Sequence, residues 1–368
     1  MNQKIRAAGA GIVAGIWVML TLLSWFGTPE ETSLTERREL DQMPKLTMGS
    51  VLDGSFVELF NGYTLDQFPE RDLFRKIKSM FHYNALIQLD NNGYFVYNNY
   101  IAKQTYPLVQ PSVNHATSVI NKLYAKYLKG TDCKIYTAIV PDKGYYLATD
   151  LGYPSMDYNS LFSQMKAAMP WATHLDITDT LDITDYYRTD THWKQEMLIP
   201  TAQKLCQAMG AEGPEEGDYT KTQVEEPFYG VYYGHAAMPI AADTITLLES
   251  ELLKNCTVKD YETGKNIKIY DAAKLGSNDM YEVYLSGAKP LLTIENPNAT
   301  TDKELVVFRD SFGSSIAPLF AQGYKSVTLV DVRYLNPDFL GNFVKFNNQD
   351  VLFLYSTLVL NESSTMKK

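Results

Sequence analysis

The chain has 368 residues, and its 33 Lys and Arg against 43 Asp and Glu give a formal net charge of −10. That balance, with no basic stripe along the chain, excludes a nucleic-acid backbone as the main partner, which would demand clustered cations. A hydrophobic fraction of 45% and a charged fraction of 21% describe a globular protein long enough for a large core. The three cysteines, Cys133, Cys206 and Cys256, stand in no CxxC spacing, and the five histidines are scattered, so the sequence calls for no disulfide framework, no metal and no cofactor.

In chain order, Lys4 and Arg6 precede residues 7–26, which carry no charge. Twenty uncharged residues match a hydrocarbon core of roughly 30 Å. The cations before the span and Glu30, Glu31 and Glu36 after it place the N-terminus in the cytoplasm and the rest outside. No Ala-x-Ala pattern follows, so residues 1–27 read as an uncleaved signal anchor at the cell membrane, with a cleaved signal peptide as the competing reading. Residues 28–110 form a linker and an N-terminal helix and hairpin region. Pro69 opens an amphipathic helix over 69–81, and residues 86–97 read as two strands around Asn92-Gly93. Asp90-Asn91-Asn92-Gly93 lacks the alternating ligands and closing Glu of a calcium loop.

Residues 111–360 alternate helices with short apolar strands. Helices are expected over 112–128, 158–169, 315–322 and 337–346, and after Trp193 to Gly210. Strands are expected over 134–140, 174–177, 305–308, 327–330 and 351–355. Residues 211–300 read as a strand-rich insertion. Continuous apolar strands between helices imply a mainly parallel sheet covered on both faces.

Two stretches carry chemistry. Asp310-Ser311 follows a strand and precedes a helix, the place where sites form at the carboxyl end of a parallel sheet. A serine there is either a nucleophile facing helix amides or simply a helix cap. Asp190-Thr191-His192-Trp193 puts a carboxylate two residues before an imidazole, so that the carboxylate can fix one ring nitrogen and free the other to take a proton. Asp190 as a helix cap is the alternative, and the two roles are compatible. Arg71 and Lys143 are candidates for binding acidic groups, with structural ion pairs as the other account. His235, in the insertion, reads as a surface residue.

Residues 186–193, Tyr-Tyr-Arg-Thr-Asp-Thr-His-Trp, and 306–313, Val-Val-Phe-Arg-Asp-Ser-Phe-Gly, resemble the signature blocks of the DHHW family, which is related to the SGNH-hydrolase-like proteins of alginate O-acetylation. Residues 68–72 and 92–97 fit the same pattern, and the resemblance spans residues 33–360. It implies an α/β, SGNH-hydrolase-like (flavodoxin-like) sheet in which Asp and His precede Ser. It also implies a catalytic triad of Asp190, His192 and Ser311. Apart from the resemblance, Trp193 and Tyr187 are candidate substrate contacts, although an aromatic beside a histidine is more often packing that fixes its rotamer. The function implied is a membrane-anchored, extracytoplasmic O-acetyltransferase or acetylesterase acting on a cell-envelope or secreted polysaccharide, with a membrane-bound acyltransferase as donor partner. A non-catalytic glycan-binding envelope protein is the alternative. Thr191 stands where the family name expects His, Arg309 where a Gly-Asp-Ser block has Gly, and Lys194, Met197 and Leu198 where small residues are usual.

Overall fold

In the computed structural model, which describes residues 3–33 and 35–368, the uncharged N-terminal stretch forms one helix, α1 (Gln3–Phe26). Its Lys4–Phe26 portion contains an 18-residue window of mean hydropathy 1.9 and is long and apolar enough to cross a membrane, a property that an anchor shares with a signal sequence.

The chain divides into two compact units. The first takes residues up to Asn92 together with Tyr233–Pro239. There α2 (Ser55–Asp66) packs on the end of α1: Ser24 Oγ donates to the Thr64 carbonyl at 3.0 Å, and the Trp25 and Phe60 rings lie 5.4 Å apart. Helix α3 (Arg71–Asn84) follows Pro69, two residues later than the proline signal suggests. Arg38 grips Asp66 with bonds of 2.7 and 2.6 Å, and Arg71 pairs with Glu36 and Asp66. Arg71 is thus one member of an ion-pair network.

The second unit takes Gly93–Tyr232 and Ile240–Lys368. It opens with a hairpin of β1 (Tyr94–Tyr97) and β2 (Tyr100–Lys103). Its turn is Asn98-Asn99, both at positive φ, because only left-handed residues give a two-residue turn the twist of its strands. Residues 86–89 are not a strand; Asn92 and Gly93 do take positive φ, but ahead of the hairpin rather than at its tip. The body then runs through α4 (Gln110–Leu123), β3 (Lys134–Val140), α5 (Lys143–Leu151), α6 (Tyr158–Ala168), β4 (Thr173–Leu175) and α7 (Ile199–Ala208). It continues with β5 (Thr220–Gln223), β6 (Thr246–Glu249), β7 (Thr257–Asp260), β8 (Asn266–Ile267) and β9 (Leu291–Glu295). Its last strands are β10 (Glu304–Arg309), β11 (Ser326–Val330) and β12 (Asp350–Ser356). The expected helix over 337–346 is a short 3-10 turn, Pro337–Asn342.

Among the described residues the central sheet has eight strands in the order β8-β7-β9-β11-β10-β12-β3-β4. From β11 to β4 all pairs are parallel; β8, β7 and β9 extend the edge antiparallel. Part of the segment read as an insertion therefore belongs to the main sheet. Counted from β10, the parallel strands lie in the order 2-1-3-4-5, the flavodoxin-like order, with the chain entering it at the fourth strand. The sheet is a circular permutation of that arrangement, which is why Asp190 and His192 precede Ser311.

Side-chain alternation builds two cores. Leu305 and Val307 of β10, with Leu352 and Leu354 of β12, join the cluster that contains Ile199 and Leu205 of α7. Val306, Phe308, Val351 and Phe353 join the opposite cluster, with Val119 of α4 and Leu161 of α6. Strands buried on both faces read as unbroken apolar runs, as expected of a parallel sheet.

Candidate active site

The order reverses between β10 and β12, the switch point of a doubly wound sheet, and Ser311 sits just past the carboxyl end of β10. Asp310, fully buried, shapes the turn: its Oδ1 accepts from Phe312 N at 3.0 Å and its Oδ2 from Ser356 N at 2.7 Å. The turn is therefore fastened to the end of β12. Gly313 N donates to the Asp310 carbonyl and Ser314 N to the Ser311 carbonyl, both at 3.1 Å, leading into the short helix Gly313–Ile316. Arg309, in the place of the usual Gly, is fully buried. Its Nη1 donates to the Asp310 carbonyl at 3.3 Å and lies 3.6 Å from Asp331. Its stem passes under Gly313, where a Cβ would come within 2.7 Å of Arg309 Cβ, so the turn over Arg309 requires a glycine at 313.

The imidazole comes from a hairpin across Tyr186–Trp193. Tyr186 and Trp193 form an antiparallel bridge, Tyr187 N donates to the His192 carbonyl at 3.1 Å, and Lys194 N to the Asp185 carbonyl at 2.7 Å. Asp243 receives Arg188 N at 2.9 Å, Thr189 N at 2.8 Å and Thr189 Oγ1 at 2.6 Å, gathering the donors of the hairpin tip onto one carboxylate. Asp190 Oδ1 accepts from His192 N at 3.0 Å and from His192 Nδ1 at 2.6 Å, and Asp190 Oδ2 accepts from Val231 N at 2.9 Å. His192 Nε2 lies 2.8 Å from Ser311 Oγ. The three residues singled out in the sequence thus come together as a continuous hydrogen-bonded chain. Asp190 is 1% exposed and His192 9%, while Ser311 is half-buried, so solvent meets the chain at its serine end.

Several residues that complete this arrangement had no sequence signal. The Tyr281 ring stacks on His192 with centroids 3.8 Å apart and planes 3° apart, and its hydroxyl bonds Ser315 Oγ at 2.8 Å. Burial pushes the Tyr281 phenol far above its usual range, which keeps it neutral. Gly230 lets the backbone close over Asp190: a Cβ there would lie 2.2 Å from Asp190 Cβ and 2.3 Å from its Cα. Gly230→Ala is expected to displace the carboxylate and slow sulfonylation of Ser311 by a sulfonyl fluoride by roughly 100-fold. An unchanged rate, followed by mass spectrometry, would show that the loop yields without cost.

Trp193 and Tyr187 are corrected by the structure. Both are fully buried. Trp193 Nε1 donates to the Phe312 carbonyl at 3.0 Å and to Ser315 Oγ at 2.9 Å, tying the hairpin to the helix after the Ser311 turn. Tyr187 packs edge-on to Phe228. Neither ring has a free face for a ligand; a large aromatic beside a catalytic-type residue serves here to fix its rotamer. His235 belongs to the other compact unit.

Lys143 is also not where an acidic ligand could reach it. It is 2% exposed, donates to the Tyr187 carbonyl at 2.9 Å and the Arg188 carbonyl at 3.2 Å, and its Nζ lies 4.8 Å from the centre of the Tyr232 ring. The Tyr232 hydroxyl in turn bonds Thr191 Oγ1 at 2.8 Å. Burial pulls the Lys143 ammonium down to about 7, against the opposing pull of Asp190, Asp243 and Asp142. The folded pKa lies below the unfolded value of about 10.4, so the stability gained from the neutral amine is present above the unfolded pKa and is lost as pH falls toward 7. Against Lys143→Met, the wild-type chain should therefore gain up to about 1.4 kcal/mol per pH unit between pH 7 and 10. Urea midpoints of both proteins at pH 6, 7.5 and 9 check this. A difference that stays constant across the range means the lysine keeps its ordinary pKa.

Among the described residues no group of three or more His, Cys, Asp or Glu is arranged to hold a metal ion. No family model matches the chain, and no curated protein matches it. Solved structures do. A DHHW family protein from Eubacterium siraeum is similar at 20% identity, over 75% of this chain and 95% of that one, with a TM-score of 0.62. Bacillus cereus PatB1 carrying a sulfonyl adduct is similar at 20% identity, over 76% of this chain and 99% of that one, with a TM-score of 0.60. A second PatB1 structure gives 19% identity, 73% and 96% coverage and a TM-score of 0.55. At these identities the likeness establishes the fold, and it is the SGNH-like α/β fold that the sequence blocks implied.

Proposed function

We propose that this protein is an extracytoplasmic serine acyl-transfer enzyme, an O-acetyltransferase or acetylesterase acting on an envelope or secreted polysaccharide. The observation that carries the reading is the unbroken run from Asp190 through His192 to Ser311 at 2.6 and 2.8 Å. The resemblance of both motif blocks to the DHHW family supports the substrate class.

In the proposed reaction Ser311 Oγ attacks the acyl carbonyl while His192 Nε2 takes its proton. Asp190 keeps Nδ1–H pointed at itself and stabilises the imidazolium. The tetrahedral oxyanion faces the nucleophile turn. There the amides of Phe312, Gly313 and Ser314 are spent on the turn itself, so the Ser311 amide is assigned as a donor. Collapse breaks the bond to the leaving alcohol, which takes the proton from His192 and leaves an acetyl ester on Ser311. A sugar hydroxyl then loses its proton to His192 and attacks that ester, regenerating the serine; water doing the same gives hydrolysis. Exclusion of water from the acyl-serine decides between the outcomes.

The test uses the full chain in detergent, with a chromogenic acetyl ester as donor, in the presence and absence of an oligosaccharide. Transfer to the sugar in excess of hydrolysis supports a transferase, and hydrolysis alone an esterase. Absence of turnover together with absence of sulfonyl fluoride labelling on Ser311 would leave only a glycan-binding role for the cleft.

A further inference from the structure

Helix α3 is packed the wrong way round for a soluble protein. Leu73, Phe74, Ile77, Met80 and Phe81 recur at helical spacing and form one face, yet each is between 44% and 55% exposed. The polar face turns inward: Ser79 is fully buried with its hydroxyl donating to the Ala236 carbonyl at 2.8 Å. Arg75 donates to the Gly234 carbonyl at 2.7 Å and pairs with Glu36 at 3.1 Å. An amphipathic helix buries its apolar stripe wherever the solvent is water, and a contiguous exposed stripe marks a surface with another occupant. Beyond the helix, Ile87 is 80% exposed as well.

Connection to α1 identifies that occupant. The last turn of α1 is clamped to α2 through Ser24 and Trp25, and the Tyr63 hydroxyl donates to the Trp25 carbonyl at 3.4 Å. Only Gln67–Glu70 separate α2 from α3, and the Phe68 and Phe74 rings close that corner at 5.2 Å. The stripe is therefore held beside the residues at which the chain leaves α1. We propose that the outward face of α3 lies in the outer-leaflet interface of the membrane that α1 enters, its apolar side chains among the acyl chains and Lys78 at the headgroups. Interfacial helices have this construction, with an apolar face in the lipid boundary and long cations reaching out of it. The proposal rests on the reading of α1 as an anchor, and it adds that the first unit is laid on the bilayer rather than tethered above it.

The test is photolabelling of the full chain in phosphatidylethanolamine–phosphatidylglycerol vesicles doped with a phospholipid bearing a diazirine on its acyl chain, with adducts mapped by mass spectrometry. Adducts are expected on α1 and on α3. In a Leu73→Glu, Ile77→Glu double variant the α3 adducts should fall by at least about tenfold, since each charge opposes insertion, while α1 adducts and acetyl-ester turnover stay at wild-type level. Both positions are exposed, so the fold tolerates the change, which circular dichroism verifies. Adducts on α1 with none on α3 overturn the proposal, whether chemical crosslinking then finds the stripe against a second copy or against this chain's own second unit. Absence of adducts from α1 itself overturns the anchor reading, a separate failure.

Discussion

Ser311→Ala is expected to lower acetyl-ester turnover by roughly 10⁴-fold or more, the loss seen when a hydrolase triad loses its nucleophile. The same variant should take up no sulfonyl fluoride. The change removes one hydroxyl whose hydrogen bond in the structure runs to His192 Nε2, from a half-buried position in a turn shaped by its neighbours. Asp310 keeps its bonds to Phe312 N and Ser356 N in the variant, so the turn survives and the thermal midpoint should stay within about 2 °C of wild type, the small effect of an ordinary partly exposed substitution. Loss of turnover together with retained folding separates chemistry from stability. Turnover within tenfold of wild type would sink the nucleophile assignment and with it the triad.

Asp190→Asn should cost about as much, near 10⁴-fold, because an amide fails to hold the imidazole in the tautomer that leaves Nε2 free to accept a proton. The local geometry sharpens the expectation. Both oxygens of this carboxylate accept from N–H groups: His192 N and Nδ1 on one, Val231 N on the other. An acid oxygen satisfies either side, whereas an amide must turn its NH₂ toward at least one of these donors. The buried mismatch should also lower stability by about 1–3 kcal/mol. Turnover, with urea unfolding alongside, checks both parts. An active Asp190→Asn protein would mean that the carboxylate only shapes the hairpin.

How far the fold could be read in advance varied with the physics of each segment. Strands such as Lys134–Val140 and Asp350–Ser356 are buried on both faces, so their unbroken apolar runs announced themselves. Helix α5 did not: it begins directly after Pro141-Asp142 with Lys143, a residue that reads as solvated but is buried under two carbonyls. The hairpin was misplaced because Asn92-Gly93 and Asn98-Asn99 offer the same left-handed turn chemistry, and only pairing across the strands tells them apart. The residues at 190, 192 and 311 were visible through their two blocks taken together, since each stretch alone reads equally as a helix cap. Asp243, Gly230 and Tyr281 were invisible, since each acts through a contact across the chain and leaves no local pattern. Whether Trp193 and Tyr187 pack or bind is settled only by the fold, because a sequence does not say which side of an aromatic ring is already covered.

The permuted strand order has a consequence for the birth of the molecule. The strand that braces the Ser311 turn is made after the other seven of its sheet: Ser356 N holds Asp310, and β12 pairs Asp350 with the far-upstream Lys134. Pairings so distant in sequence close late and slowly. During vectorial synthesis the Asp190–His192 hairpin emerges first and waits, and β10 has one parallel neighbour missing until the C-terminal segment arrives. The hydroxyl and the imidazole are thus kept from their common register until β12 is made, so a chain cut short before Asp350 lacks the brace that sets Ser311 against His192.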